Sequence, residues 1–182
     1  DAYIEANNGA DINATLPAIR ATSEVTHADY GYAGAPFLIN GRNIDAMAFM
    51  SSQPSSVYPA LASGRYPSGA HEIVLGTRTL HDLGVHVGST VTVAVQGVAG
   101  RSGRLRVVGT GVFPTISDTL ELGTGALTTV PALRGVLGSV QPPPPDHAFV
   151  QFRSDAQARG FADLTRNVER VGGFSVLRAQ RP

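Results

Sequence analysis

Between Ser63 and Phe113 the apolar residues come in short runs broken by glycine. The runs read Glu72-Ile73-Val74-Leu75-Gly76, then Leu83-Gly84-Val85-His86-Val87-Gly88-Ser89-Thr90-Val91-Thr92-Val93, then Arg106-Val107-Val108-Gly109-Thr110-Gly111-Val112-Phe113. Runs this short and this rich in β-branched residues fit strands, so the middle third reads as a small β-rich unit. Residues 72–75 form a short buried strand, followed by a helix over 77–83 that Gly84 ends in the left-handed conformation. Val85, Val87, Val91, Val93 and Val95 mark β structure that pairs with residues 105–112 across a turn at 97–103.

The flanks have a different period. Ile12, Leu16 and Ile19 have helical spacing, with Thr15 as the cap and Pro17 in the first turn, and this helix ends near Thr22. Residues 25–32 alternate as a strand with Thr26, Ala28, Tyr30 and Tyr32 on one face. Asn40-Gly41 lies between the apolar runs 37–39 and 44–49, the pattern of a two-residue hairpin. A helical turn is expected at 57–61, and a helix at 129–137 beginning at Pro131. The prolines at 142–145 form a stiff extended spacer and mark a boundary. Beyond it come a strand at 148–152 and a helix capped by Ser154 with Ala158, Phe161, Leu164, Val168 and Val171 along one face. Gly172-Gly173 stops that helix before a closing strand at 174–177. The class is α+β: the first and last segments make one layered body with two helices on one face of a sheet, and the middle is an insertion.

Composition excludes several chemistries. The chain has 182 residues; all 14 basic residues are Arg and they balance 14 acids. Without Lys there is no Walker A phosphate loop and no Schiff base. Scattered Arg on a neutral chain makes no basic stripe for nucleic acid. With no Cys there is no thiolate nucleophile, Cys-ligated zinc or disulfide. No apolar window reaches the ~18–20 residues of a spanning helix, so the chain as given is read as soluble. His71-Glu72 opens like a zinc-binding HExxH motif, but Leu75 stands where the second His belongs and the run prefers a strand. His81 and His86 align on neither a helix nor a strand. Gly100-Arg101-Ser102-Gly103 falls in a turn and makes no nucleophile elbow, and Gly109-x-Gly111 and Gly123-Thr124-Gly125 lack the third glycine of a dinucleotide loop. Arg65, after a glycine turn, has a donor fork able to clamp carboxylates or carbonyls of a neighbouring lobe. No residue is assigned a catalytic, cofactor-binding or metal-binding role.

In their order and spacing, Ser63-Gly64-Arg65-Tyr66-Pro67 and the three glycine-punctuated runs resemble the extracytoplasmic domain of MacB/FtsX-type ABC-transporter permeases. Leu38-Ile39-Asn40-Gly41 and Pro59-Ala60-Leu61-Ala62 resemble the approach to that block. Phe149-Val150-Gln151-Phe152 and Arg178-Ala179-Gln180-Arg181-Pro182 resemble the return from it. The likeness covers most of the chain and is strongest over 60–113, where its motif residues are Gly64, Arg65, Gly76, Gly84, Gly88 and Gly109. It implies a split βαβ, porter-like body of residues 1–62 and 145–182 with an inserted β-rich, sabre-like lobe of residues 63–144. It also implies a permease subunit of the cell membrane whose outward domain relays ATP-driven motion without catalysis or cofactor, its two ends leaving one end of the body. The implied partners are the transmembrane helices of the same permease, an ABC ATPase on the cytoplasmic side, and an exported substrate or extracytoplasmic protein. The chain departs from the family in lacking an obvious long protruding hairpin. A free secreted or surface-bound binding module is the alternative reading, and a hydrolase with an unrecognised site the third.

Overall fold

The computed structural model describes residues 1–50, 58–113 and 123–179. In chain order the elements are β1 (Ala2–Ala6), a 3-10 turn (Ile12–Thr15), α1 (Leu16–Arg20), β2 (Val25–Ile39), β3 (Arg42–Phe49), β4 (Ala60–Gly64), β5 (Glu72–Gly76) and α2 (Thr77–Asp82). They continue with β6 (Thr90–Val95), β7 (Gly103–Val112), β8 (Ala126–Thr129), α3 (Val130–Leu137), β9 (His147–Phe152), α4 (Gln157–Glu169) and β10 (Phe174–Arg178). They gather into two compact units, one built from residues 1–31 and 144–179 and the other from 32–50, 58–113 and 123–143.

The first unit is an open sheet in the order β10-β1-β9-β2, with every pair antiparallel. Its two β-α-β segments, β1-α1-β2 and β9-α4-β10, each step over one strand, which makes it a split βαβ body. Alternation puts Ala2, Ile4, Ala148 and Val150 on one face, where they form a core with Ile19 of α1 and with Leu164 and Val168 of α4. Burying Leu164 completely contributes ~2–3 kcal/mol. The helix lies close because Gly160 faces the sheet, where a Cβ would stand 2.6 Å from the Phe152 ring. Ala158 is exposed and Val171 is 40% exposed, so the buried line is narrower than the expected apolar face. Phe161 is half-buried, with the Arg178 guanidinium 4.4 Å above its ring.

Thr15 stands at the N-cap of α1 with Pro17 in the first turn, as the spacing expects, but its side chain makes no cap bond. Asp11 caps the preceding 3-10 turn by accepting the Asn13 N–H at 3.0 Å, while the Thr15 hydroxyl donates back to the Ile12 carbonyl at 2.7 Å. The last helix begins at Gln157, with Ser154 and Asp155 in the preceding turn and no side-chain cap at Ala156. At the other end of this unit's chain path, the Ala179 N–H donates to the Asp1 carbonyl at 3.0 Å, so the outer ends of β1 and β10 lie side by side.

The second unit is a closed ring. The strand β2 turns into β3 through Asn40 (φ 48°) and Gly41 (φ 83°), both in the left-handed region that a two-residue hairpin requires. From β3 the pairing runs to β8, β5, β7 and β6, and β6 returns to β2 at Phe37, Leu38 and Ile39. Two of these six contacts, β3–β8 and β5–β7, are parallel. The inward residues, among them Phe37, Ile39, Ile73, Leu75, Val93 and Leu105, form the core against Leu133 and Val136 of α3. That helix starts where expected: Thr129 Oγ1 accepts the Ala132 N–H at 3.2 Å and Pro131 sits in its first turn. Where β6 leaves β7, β4 takes over the same side of it as a spur.

Ring closure sets the extent of the compact units. The sequence divides the bodies at 62/63 and 144/145, whereas the units divide at 31/32 and 143/144. The β2–β3 hairpin goes with the insertion because it supplies two of the strands that close the ring. Residues 60–64 are an extended strand and not a helical turn, while Val57 lies outside the described residues. Val85 and Val87 belong to turns: the Gly88 N–H donates to Val107 O at 2.7 Å and the strand begins only at Thr90.

Candidate functional site

The glycine-arginine block resolves into backbone approach followed by an ionic latch. Gly64 (φ 80°) pairs with Gly109, and neither position has room for a side chain. A Cβ at Gly64 would stand 2.3 Å from the Val108 carbonyl oxygen, and one at Gly109 would stand 2.6 Å from that of Arg65. At Gly76 the obstacle is the Gly123 carbonyl at 2.1 Å. Gly84 (φ 63°) and Gly88 (φ 102°) face open space and serve as turns.

The Arg65 N–H donates to Val108 O at 3.0 Å, which fixes where the side chain sets out. Its guanidinium then grips Glu72 with both arms, Nη1 to Oε2 at 2.8 Å and Nη2 to Oε1. Ser68 adds its backbone N–H to Oε2 at 2.9 Å, and Arg65 Nη1 also reaches the Tyr66 carbonyl at 3.1 Å. The Arg65 fork, helped by the Ser68 N–H, holds the Glu72 carboxyl down to about 2. The arginine's own side chain is 55% exposed, so the pair stabilises by at most ~1 kcal/mol. The sequence had pointed this clamp at a neighbouring lobe. It closes instead on a carboxylate seven residues away in the same unit, tying the β4–β5 connection to the first residue of β5.

The histidines stay apart from any shared chemistry. His71 is exposed at the start of β5, His81 stands beside Asp82, and His86 Nδ1 lies 3.2 Å from Ser89 Oγ. Among the described residues no three His, Asp or Glu side chains gather to hold a metal ion. Among the described residues of the ring unit, open depressions include two lined from its strands and turns. One, of about 420 Å³, is lined by Arg65, Val87, Gly88 and Arg106; the other, of about 600 Å³, by Leu38, Ala94, Val98 and Arg101 among others. Neither lining includes a histidine or a carboxylate. In the open unit the structure adds a pair not singled out from sequence: buried His147 Nδ1 lies 2.7 Å from Asp146 Oδ1, its ring 6.0 Å from that of Phe149. Adjacency in the chain was its only signal. Among the described residues no helix is long and apolar enough to cross a membrane.

No family model and no curated protein matches the sequence. The fold does have solved counterparts. The periplasmic region of MacB from Actinobacillus actinomycetemcomitans aligns over 97% of this chain and 87% of its own, with a TM-score of 0.61 and 12% identity. The extracellular domain of the noncanonic ABC-type transporter YknZ from Gram-positive bacteria aligns over 98% of this chain and 100% of its own, with a TM-score of 0.57 and 11% identity. The chain therefore shares, across nearly its whole length, the α+β fold of these two extracytoplasmic domains.

Proposed function

We propose that this chain is the extracytoplasmic domain of an ABC-transporter permease and that it does mechanical and not chemical work. The observation that carries the reading is the match over 97% and 98% of the chain to two such domains, each covered almost entirely in return. A second feature supports it: the outer ends of β1 and β10 lie side by side, as a domain held between two neighbouring membrane spans requires. On this reading the domain sits on the outer side of the cell membrane, joined to the transmembrane helices of its own permease and through them to a cytoplasmic ATPase. ATP-driven movement of the spans reaches β1 and β10 first. It passes to the ring unit along β2 and the proline run at 142–145, which acts as a stiff connector, and so to an exported substrate or outer partner.

The test is removal of residues 32–143 from the full-length permease with Gly31 bridged to Pro144, a short gap because the Asp146 N–H donates to Gly31 O at 3.1 Å. Nucleotide binding by the complex is expected to persist and transport to be lost. Transport at the normal rate without residues 32–143 would overturn the reading.

A further inference from the structure

The two outer strands of the sheets are protected unequally. The spur β4 follows Pro59, carries a register shift between Leu61 and Ser63, and ends at Gly64 in the left-handed region, all devices that spoil pairing with a further strand. The outer strand of the open unit, β10, has left-handed Gly172 and Gly173 only before its first residue, and neither a proline nor a register shift within its length. It reads Phe174-Ser175-Val176-Leu177-Arg178, runs against β1 in unbroken register, and among the described residues pairs with nothing on its other side. Its free hydrogen-bonding groups follow from its parity. Ala179 and Gly173 bond to β1 through Asp1 and Asn7, so the odd residues face β1 and the N–H and C=O groups of Phe174, Val176 and Arg178 face outward.

We propose that this edge pairs antiparallel with the same edge of a second copy of the chain, centred on Val176. With the outward groups at 174, 176 and 178, that register satisfies all three residues on both strands through about six backbone hydrogen bonds. It also suits the side chains. Val176 meets its own copy, a β-branched pair, and Arg178 falls opposite Phe174 and away from the other Arg178. The Arg178 guanidinium already rides over Phe161, so Phe174 from the second copy would extend an existing cation–aromatic contact on the α4 side. On the opposite face Leu177, 41% exposed, is covered by the neighbouring Ser175 position. Charge complementarity selects the antiparallel form, since the strand's single charge meets an aromatic ring and not its like. Two five-residue strands cover less than the ~1,200 Å² of a stable interface, so the association is weak and concentration-dependent.

The chain has no cysteine, so introduced thiols report without background. In the proposed register Ser175 and Leu177 of opposite copies form a non-hydrogen-bonded pair with Cα atoms ~4.5 Å apart, within disulfide reach, while 175 to 175 and 177 to 177 lie beyond ~7 Å. Mixing Ser175→Cys protein with Leu177→Cys protein under mild oxidation is expected to give about tenfold more crosslinked dimer than either variant alone. Adding Val176→Pro to both partners removes an outward N–H without touching the β1 ladder and should return the mixture to the single-variant level. A second measurement needs no substitution: amide exchange at 174, 176 and 178 should slow as protein concentration rises, while exchange in β4 stays unchanged. Equal crosslinking by the single variants and the mixture, or edge amides indifferent to concentration, would overturn the proposal. Protection of these amides only when an unrelated extended polypeptide is added would overturn it too, in favour of a foreign strand.

Discussion

Residues 32–143 and the body around β1, β2, β9 and β10 meet the same physical demand, a row of backbone groups that needs partners, by opposite routes. The ring unit turns six strands back on themselves, so each ring strand has a neighbour on both sides, and fills the interior with Phe37, Ile39, Leu75 and the apolar face of α3. The other unit leaves its sheet open, covers one face with α1 and α4, and lets β10 stand at the margin. In the closed unit no strand can shift without breaking two ladders, so its tolerance for added atoms is low. An open sandwich can loosen a helix or an outer strand and keep the rest. The expected consequence is a unit that fails as a whole beside one that fails in parts.

The sharpest way to break this comparison is Gly109→Val. Its new side chain meets backbone, not a flexible side chain, with the Arg65 and Ser63 carbonyls 2.6 and 3.0 Å from the Cβ position. A loss of ~4 kcal/mol or more in unfolding free energy is expected, with hydrogen-exchange protection falling together across β5, β6 and β7. Protection lost in β7 alone would show that the ring is not a cooperative unit. Next in size is Leu164→Ala in the open unit, expected to cost ~3 kcal/mol by leaving a cavity under α4. Denaturant melts followed by amide exchange should show α4 and β10 loosening while ring amides keep their protection. Equal losses in both units would mean that the two fold as one.

The smallest effect belongs to the Arg65–Glu72 latch. Glu72 has its carboxyl lowered from 4.5 to about 2 in the folded protein, so its contribution is complete above about pH 4.5 and disappears as pH falls through about 2. Glu72→Gln should therefore cost ~0.5–1 kcal/mol at pH 7 and nothing near pH 2. Chemical melts of both proteins at the two pH values measure the difference directly. A penalty that persists in acid would assign Glu72 a packing role.

Much of the open unit was legible because its signals are local. The step of three and four through Phe161, Leu164 and Val168, the Gly172-Gly173 stop and the strand after it all lie between residues 161 and 178 and need no distant partner to be seen. The Asn40-Gly41 hairpin and the turn at Gly84 were readable for the same reason. Ring closure was not, because the parallel pairs β3–β8 and β5–β7 join segments far apart in sequence, and nothing in Ala46-Met47-Ala48 names Ala126-Leu127-Thr128 as its neighbour. The sequence alone groups the hairpin with the first segment, while the compact units group it with the ring. The motif glycines were visible as a pattern, but which of them face backbone depends on register: Gly64 on Gly109, Gly76 on Gly123. The cap position at Thr15 was readable beside Pro17, although its hydroxyl bonds back to Ile12 and caps no N–H; Ser154 misled because it lies two residues before the N-cap position at Ala156, where serine is no more than a frequent choice.

Consider the hydrogen bond from the Asp146 N–H to the Gly31 carbonyl, and beside it the Tyr32 hydroxyl donating to Pro143 O at 2.6 Å. The first joins two points of the open unit between which the whole of residues 32–143 has been threaded, and the second joins the two ends of that intervening stretch. To a polymer this is a very long loop already shut. Bringing β9 against β2 from an unstructured chain would carry the entropic penalty of that full length, whereas a folded ring holds both ends within one hydrogen bond of each other. The ring thus acts as a clasp for the sheet that surrounds it in sequence, and the non-local topology of β1, β2 and β9 becomes, once the clasp is shut, a nearly local problem.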